Sequence, residues 1–124
     1  MSAEDNKQAA KDGYDAFGRG DVEGATANIS DSIEWVVGGD NAVTGTYRGK
    51  EEVVGFWGKL AEKGFQTRPT EFLADGDKVA VLTADSAGGE EVRAVDVLTY
   101  DDSGQLVRFE TFGGEQLLDR VFAQ

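Results

Sequence analysis

The second half of the sequence alternates apolar and polar residues with a period of two, and this pattern limits the possible folds more than any other feature. Four segments show the alternation, at residues 70–74, 78–86, 91–100 and 105–112. The turns between them, at residues 75–77, 88–89 and 101–104, contain the glycine and aspartate residues that hairpins favour. Consecutive hairpins predict a meander of four antiparallel strands.

The first thirty or so residues have the period of an α-helix instead. Apolar side chains recur at the spacing of one helical face up to Phe17. Residues 18–20 then contain two glycines, which end a helix because they adopt positive backbone angles at low cost. Asp21 follows and can cap a second, shorter helix. The sequence therefore predicts a pair of helices at the start of the fold.

The middle of the chain combines a strand with a longer helix. The β-branched and aromatic run at residues 32–37 predicts the strand, and residues 45–49 predict a turn. Helical periodicity returns from Lys50 and ends at Gly64. At the end of the chain, residues 115–122 predict a short amphipathic helix.

This order of elements predicts one α+β domain over residues 1–124, since a chain of this length has room for one core. Helices packed on one face of a curved antiparallel sheet would enclose a cone, closed at one end and open at the other. A cone-shaped pocket lined by apolar side chains is suited to a small molecule.

The composition excludes several classes of function. The sequence contains no cysteine and no histidine, which removes thiol chemistry and the commonest ligands of transition metals. The 24 acidic and 12 basic residues give a formal net charge of −12, which repels phosphate backbones and anionic lipids. We therefore expect no metal, no cofactor, no nucleic acid and no membrane as partners. The polar residues 1–11 predict a cytoplasmic location.

Four segments are informative when they are taken in order. They are the helix end YDAFGRGD at 14–21, the strand DSIEW at 31–35, the helix entry GTYRGK at 45–50 and the terminal hairpin at 94–114. In these segments the chain resembles the nuclear transport factor 2-like superfamily, in particular the ketosteroid isomerases and the SnoaL-type polyketide cyclases. The resemblance implies a cystatin-like α+β barrel, and it extends over nearly the whole chain.

Ketosteroid isomerases, as the resemblance implies, use three groups: an aspartate base on the first strand, a tyrosine on the first helix and a protonated aspartic acid on the penultimate strand. The protonated acid falls on Asp96. The base falls on Val37, which cannot accept a proton. The tyrosine falls on Gly13, one residue from Tyr14, so a shift of one residue in the alignment would restore it.

Asp96 is also notable without any family resemblance. It interrupts the apolar run at residues 94–98 in the middle of a predicted strand, so its side chain is expected to face a buried or half-buried surface. A buried carboxyl group must be hydrogen-bonded, paired or protonated, and each state is useful in a pocket. The alternative is a structural carboxyl group that bonds a neighbour, or one at an edge or dimer contact.

Strand geometry and the resemblance together predict which residues line the cone. Period two places Leu98 on the face of Asp96. The strand pairing of the superfamily implies that further residues face the same cone: Val79, Val81, Thr83, Asp85, Phe109 and Thr111. Asp85 lies beside a predicted hairpin, so a solvated strand end is the alternative to a second carboxyl group in the pocket.

Aromatic residues complete the predicted substrate-binding set. Tyr14 and Tyr47 carry hydroxyl groups that a core would have to satisfy, and Trp35 shares a strand face with Val37. The other aromatic candidates lie on the apolar faces of predicted helices: Phe17, Phe56 and Trp57. Plain core packing is the alternative for the large aromatic side chains, because burial alone explains them.

Two functions remain open at this point. One is the binding of a small, largely apolar molecule, with cofactor-independent isomerisation or aldol-type cyclisation that uses Asp96. The other is a non-catalytic ligand-binding or dimerisation module of the same fold. A homodimer is expected from the resemblance, and also because four apolar side chains need a cover: Val95, Val97, Leu117 and Leu118.

Overall fold

The structure is a computed structural model that describes all 124 residues. Its helices are α1 Ala3–Gly18, α2 Val22–Thr26, α3 Gly49–Glu62 and α4 Glu115–Val121. Its strands are β1 Ile29–Val37, β2 Gly45–Arg48, β3 Gln66–Asp75, β4 Lys78–Ala87, β5 Glu90–Tyr100 and β6 Leu106–Phe112. The predicted α+β class, with helices against a curved sheet, is confirmed. Crossing a bilayer would require a longer and more apolar helix than any of these four.

The six strands form one sheet in the order β2-β1-β6-β5-β4-β3. Strands β3 to β6 are the predicted meander, but two expectations about the rest of the sheet are wrong. Residues 45–48 are a short edge strand, not only a turn, because they pair with the free edge of β1. The sheet is also mixed, because β1 runs parallel to β6. The long connection between these two strands makes a parallel pairing possible.

Register shifts bend the sheet at three points. They lie in β1 between Ile29 and Glu34, in β3 between Pro69 and Glu71, and in β6 between Leu106 and Arg108. An extra residue in one strand bends that strand and increases its twist. The three shifts therefore help to produce the concave face that the helices cover.

The helices cover the two ends of this face. Helix α1 packs on β3 and β4, and α3 packs on β1 and β2. Asp21 caps α2, since its side chain accepts a hydrogen bond from the backbone N–H of Gly24 at 2.9 Å. The core between the layers includes Ile33, Val53 and Val79, whose side chains are fully buried.

Helix α4 is held within the chain. Asp119 Oδ1 accepts hydrogen bonds from the Asp40 backbone N–H at 2.8 Å and from Asn41 Nδ2 at 2.9 Å, which ties the β1–β2 loop to the helix. Leu117 is 1% exposed, and Leu118 packs against the core. The expectation that these two leucines need a partner is therefore wrong, because the chain itself covers them.

Candidate functional site

An apolar cavity of about 140 Å³ lies between the concave face of the sheet and helices α1 and α3. Cavities of about this size with apolar walls accommodate a small aromatic molecule. The predicted residues that line it include seven apolar or aromatic ones: Phe17, Trp35, Val37, Phe56, Trp57, Leu98 and Phe109. Trp35 stacks on Phe109 with ring centroids 3.7 Å apart, so part of the wall is a rigid aromatic surface.

The carboxyl group of Asp96 lies in this wall with a hydroxyl donor on each oxygen. Asp96 is 4% exposed and sits opposite Thr111 of β6. Thr111 Oγ1 donates to Asp96 Oδ1 at 2.7 Å. Tyr14 Oη, from helix α1, donates to Asp96 Oδ2. The sheet register and the position of α1 thus bring Tyr14, Asp96 and Thr111 together at one point of the cavity.

Burial sets the proton affinities of this group. The apolar surroundings disfavour the carboxylate and raise the pKa of Asp96 to about 7, although the hydrogen bonds from Tyr14 and Thr111 oppose the rise. Burial, followed by the charge of Asp96, raises the pKa of Tyr14 well above its usual value. Near neutral pH, Asp96 is therefore divided between acid and carboxylate, while Tyr14 keeps its proton.

Protonation of Asp96 decides which group can donate into the cavity. When Asp96 is ionised, the proton of Tyr14 points to the carboxylate. When Asp96 is protonated, its O–H can donate to Tyr14 Oη, and the Tyr14 O–H is then free to donate to a ligand oxygen. At and below neutral pH the pair can therefore offer a hydrogen-bond donor to a carbonyl group.

We expect Tyr14→Phe to raise the pKa of Asp96 above its value of about 7, because the substitution removes one of the two hydroxyl donors that stabilise the carboxylate. The loss of a hydrogen bond to a charged group corresponds to roughly one to two pKa units. The measurement is the pH titration of the Asp96 carboxyl carbon by NMR. Tyr47→Phe is the matched control, since that hydroxyl donates to the carbonyl of Val43. An unchanged pKa in Tyr14→Phe would contradict the hydrogen-bond assignment.

A second carboxyl group, that of Asp85, lines the same cavity. Asp85 is 5% exposed, and Thr67 Oγ1 of β3 donates to its Oδ1 at 2.6 Å. Burial raises the pKa of Asp85, and the hydroxyl groups of Thr67 and Thr83 oppose that rise. The solvated strand end considered as an alternative for Asp85 is wrong, because β3 pairs with β4 along this stretch and removes the carboxyl group from water.

Four predicted lining residues lie outside the cavity wall: Tyr47, Val79, Val81 and Thr83. The three on β4 share the inner face of the sheet, but helix α1 and the neighbouring strands pack closely around that part of β4. Tyr47 lies on the edge strand β2, where its ring stacks on Phe56 and its hydroxyl group donates to the Val43 carbonyl at 2.6 Å. The three β4 residues therefore belong to the buried core, and Tyr47 packs against its edge.

Several lining residues were not predicted from the sequence. They include Ala10, Leu60, Phe65, Thr67, Leu106 and Leu118. Thr67 is the residue among them with a polar role in the site, because its hydroxyl group donates a hydrogen bond to Asp85. The strand was predicted to start only at Thr70, so Thr67 was left outside it. No three acidic side chains converge as a metal-ligand set.

The sequence profile of the SnoaL-like domain matches residues 10–109. The chain belongs to the SnoaL-like domain family. The match confirms the resemblance that the sequence predicted. The matched range contains Tyr14, Asp85 and Asp96. Among curated proteins, none matches the chain.

Solved structures share the fold of this SnoaL-like domain over nearly its whole length. Bal32a, from a soil-derived mobile gene cassette, is 22% identical with a TM-score of 0.87, and 98% of each chain is covered. An NTF2-like protein from Burkholderia thailandensis is 27% identical with a TM-score of 0.82, again with 98% of each chain covered. TerC, co-crystallised with polyporic acid, is 22% identical with a TM-score of 0.83, covering 94% of this chain and 97% of TerC.

Proposed function

We propose that this domain binds a small, largely apolar molecule in its cavity and holds a carbonyl oxygen of that molecule against the Tyr14–Asp96 pair. The main support for the proposal is the hydrogen bond from Tyr14 to a buried Asp96 in a mostly apolar wall. Apolar cavities with a few convergent polar groups are the usual form of small-molecule sites. The co-crystal of TerC with polyporic acid supports a ligand-binding role for the fold.

The chemistry we propose for Asp96 is that of a general acid or hydrogen-bond donor that acts on the ligand through the hydroxyl group of Tyr14. When a water molecule or hydroxide ion takes a proton from the carbon next to a carbonyl group, negative charge develops on the carbonyl oxygen. A donor that is already in place stabilises that charge, and it does so more strongly in an apolar site than in water. The reaction class that fits is a cofactor-independent isomerisation or aldol-type cyclisation.

A non-catalytic ligand-binding module is the second candidate. Val37 stands at the strand position where the ketosteroid isomerases carry their aspartate base, and it offers no proton acceptor. Fold likeness does not decide between the two candidates. In either case we propose a homodimer through the outer face of the sheet, where Val95 and Val97 are half-buried and Phe112, paired with Val95, is 49% exposed.

The test uses 2-tetralone, an apolar ketone whose α-protons exchange in deuterated water. We expect the protein to bind it and to accelerate the exchange, as followed by proton NMR. We expect Asp96→Asn to slow the catalysed exchange by about 100-fold or more, because Tyr14, which donates to the developing oxyanion, loses the acidic O–H of Asp96 that supports it. The matched control is Asp102→Asn, at an exposed position in the β5–β6 turn.

The outcomes separate the candidates. Binding without accelerated exchange would favour the non-catalytic module. Wild-type exchange rates in Asp96→Asn would remove Asp96 from the mechanism. Failure of the protein to bind the ketone at all would contradict the proposed ligand class.

A further inference from the structure

Asp85 forms a second polar point in the cavity, separate from the Tyr14–Asp96 pair. Thr67 donates to its Oδ1 at 2.6 Å, and the hydroxyl group of Thr83, which donates to the Ala94 carbonyl at 3.4 Å, also stabilises the carboxylate. Oδ2 is the acceptor of no hydrogen bond of ordinary geometry, and it lies beside Gly114, another residue of the cavity wall. A carboxyl group that is 5% exposed thus directs an unpartnered oxygen at the space where a ligand would lie.

No basic side chain lines the cavity. Its acidic lining residues are Asp85, Asp96 and Glu115. Arg68, next to Thr67 in β3, is opposite Ala84 and lies near the exposed Glu91 at 3.9 Å. A buried carboxyl group without a cation remains neutral or needs donors from elsewhere. Thr67 occupies Oδ1 of Asp85, which leaves Oδ2 as a place for a donor from a ligand.

We propose that Asp85 Oδ2 accepts a hydrogen bond from a hydroxyl or amino group of the ligand, so that the cavity takes neutral or cationic molecules with such a donor and rejects carboxylates. This inference rests on the proposed function, because it requires a ligand in the cavity. An anionic ligand would lose its hydration in a cavity that holds no positive charge, and it would either repel an ionised carboxyl group or force that group to take up a proton. The two polar points together select a molecule with a carbonyl group at one position and a proton-donating group at another.

Gly114 provides access to Oδ2 of Asp85. A Cβ atom at Gly114 would lie 3.7 Å from this oxygen and 3.4 Å from Thr111 Cγ2, which are ordinary van der Waals distances. The backbone φ of Gly114 is −98°, which any residue can adopt. Gly114→Ala is therefore expected to fold and to place a methyl group beside Oδ2 without changing any charge.

Four ligands that share one ring system test the inference. They are 2-methylnaphthalene, 2-naphthalenemethanol, 2-(aminomethyl)naphthalene and 2-naphthoic acid, each titrated at neutral pH with Kd measured by NMR. We expect the alcohol or the amine to bind roughly three- to tenfold more tightly than the methyl compound, as one added hydrogen bond allows. We expect the carboxylate to bind at least about tenfold more weakly than the methyl compound. Preference for the alcohol identifies a neutral donor, and preference for the amine identifies a cation.

Variants assign the effect to Asp85. Asp85→Leu is expected to abolish the advantage of both donors. Asp85→Asn should do the same, because its amide oxygen accepts from Thr67 and its NH2 group, a donor, takes the place of Oδ2. Gly114→Ala is expected to weaken the binding of the alcohol and the amine relative to that of the methyl compound. This variant still tests the inference if Asp85→Leu does not fold. Glu115→Gln is the matched control, because it removes another lining charge and should leave the hydrogen-bond advantage of the alcohol in place.

Two results would overturn the inference while leaving the proposed function intact. One is equal affinity of the wild type for the methyl compound, the alcohol and the amine. The other is an unchanged preference in Asp85→Leu and Gly114→Ala. If 2-methylnaphthalene itself does not bind, the proposed function fails together with the inference.

Discussion

Asp96→Asn is expected to stabilise the protein at about pH 8, by at most about 4 kcal/mol. Burial raises the pKa of Asp96 from 3.8 to about 7. A difference of about three units between the unfolded and folded states corresponds to about 4 kcal/mol. The folded state binds the proton more tightly, so the stability from this group is complete below about pH 4 and falls until the pH passes about 7. Asparagine cannot ionise, and its amide can still pair with Tyr14 and Thr111.

The measurement is urea denaturation of both proteins at several pH values between about 4 and 8. The wild type should lose stability as the pH rises through this range, and Asp96→Asn should lose less. Some pH dependence is expected to remain in the variant, because burial also raises the pKa of Asp85. Asp102→Asn, at an exposed site, is the control. A variant that is less stable than the wild type at about pH 8 would contradict the prediction.

If the prediction holds, the protein retains a destabilising carboxyl group at neutral pH. Natural proteins commonly keep such a group where it has a function, since a neutral replacement is available by a single substitution. The stability measurement therefore also bears on whether Asp96 is structural. A carboxyl group retained for structure alone is expected to stabilise the fold at the pH where the protein works.

Trp57→Ala is expected to lower the free energy of unfolding by about 3–5 kcal/mol, the range for truncation of a large buried aromatic side chain. Trp57 is 8% exposed on α3. Its ring meets Phe17 edge-on at a centroid distance of 5.2 Å and Trp35 at 5.6 Å. The substitution removes both aromatic contacts and enlarges the cavity beside them.

Urea denaturation again provides the measurement, with Trp57→Phe and Val22→Ala as comparisons. Trp57→Phe keeps an aromatic ring and should cost less than the alanine variant. Val22 is 48% exposed, so Val22→Ala should change stability by about 0.5 kcal/mol or less. A loss below about 1 kcal/mol in Trp57→Ala would show that the ring is not part of the packed core.

Local patterns were sufficient to predict most of the fold. The hairpin turns and the period-two segments predicted strands β3 to β6, because both signals depend only on residues that are close together in the sequence. The same reasoning predicted the burial of Asp96, whose neighbours in the strand are aliphatic. The short strand β2 and the parallel pairing of β1 with β6 were not predicted, because they depend on how distant segments meet.

Tyr14 shows the limit of positional reasoning on a helix. Counting along the sequence placed the expected tyrosine position at Gly13, one residue away from Tyr14. In the structure the hydroxyl group of Tyr14 reaches Asp96, 82 positions away in the sequence. The rotation and placement of α1 over the sheet decide this contact. The packing of the whole α1 face sets both, and a count of residues does not contain that information.

The sequence by itself determined that the carboxyl group at position 96 would face a buried or half-buried surface of a sheet, since its neighbours in the strand are aliphatic. Only the tertiary structure decided the surroundings of Asp85. In a regular β3–β4 hairpin, the pairing of Asp75 with Lys78 would place Arg68 opposite Asp85. The register shift between Pro69 and Glu71 moves Thr67 there instead and leaves Arg68 opposite Ala84. One extra residue in a strand thus replaces a cation with a hydroxyl group, because a shift by one position exchanges the two faces of the sheet.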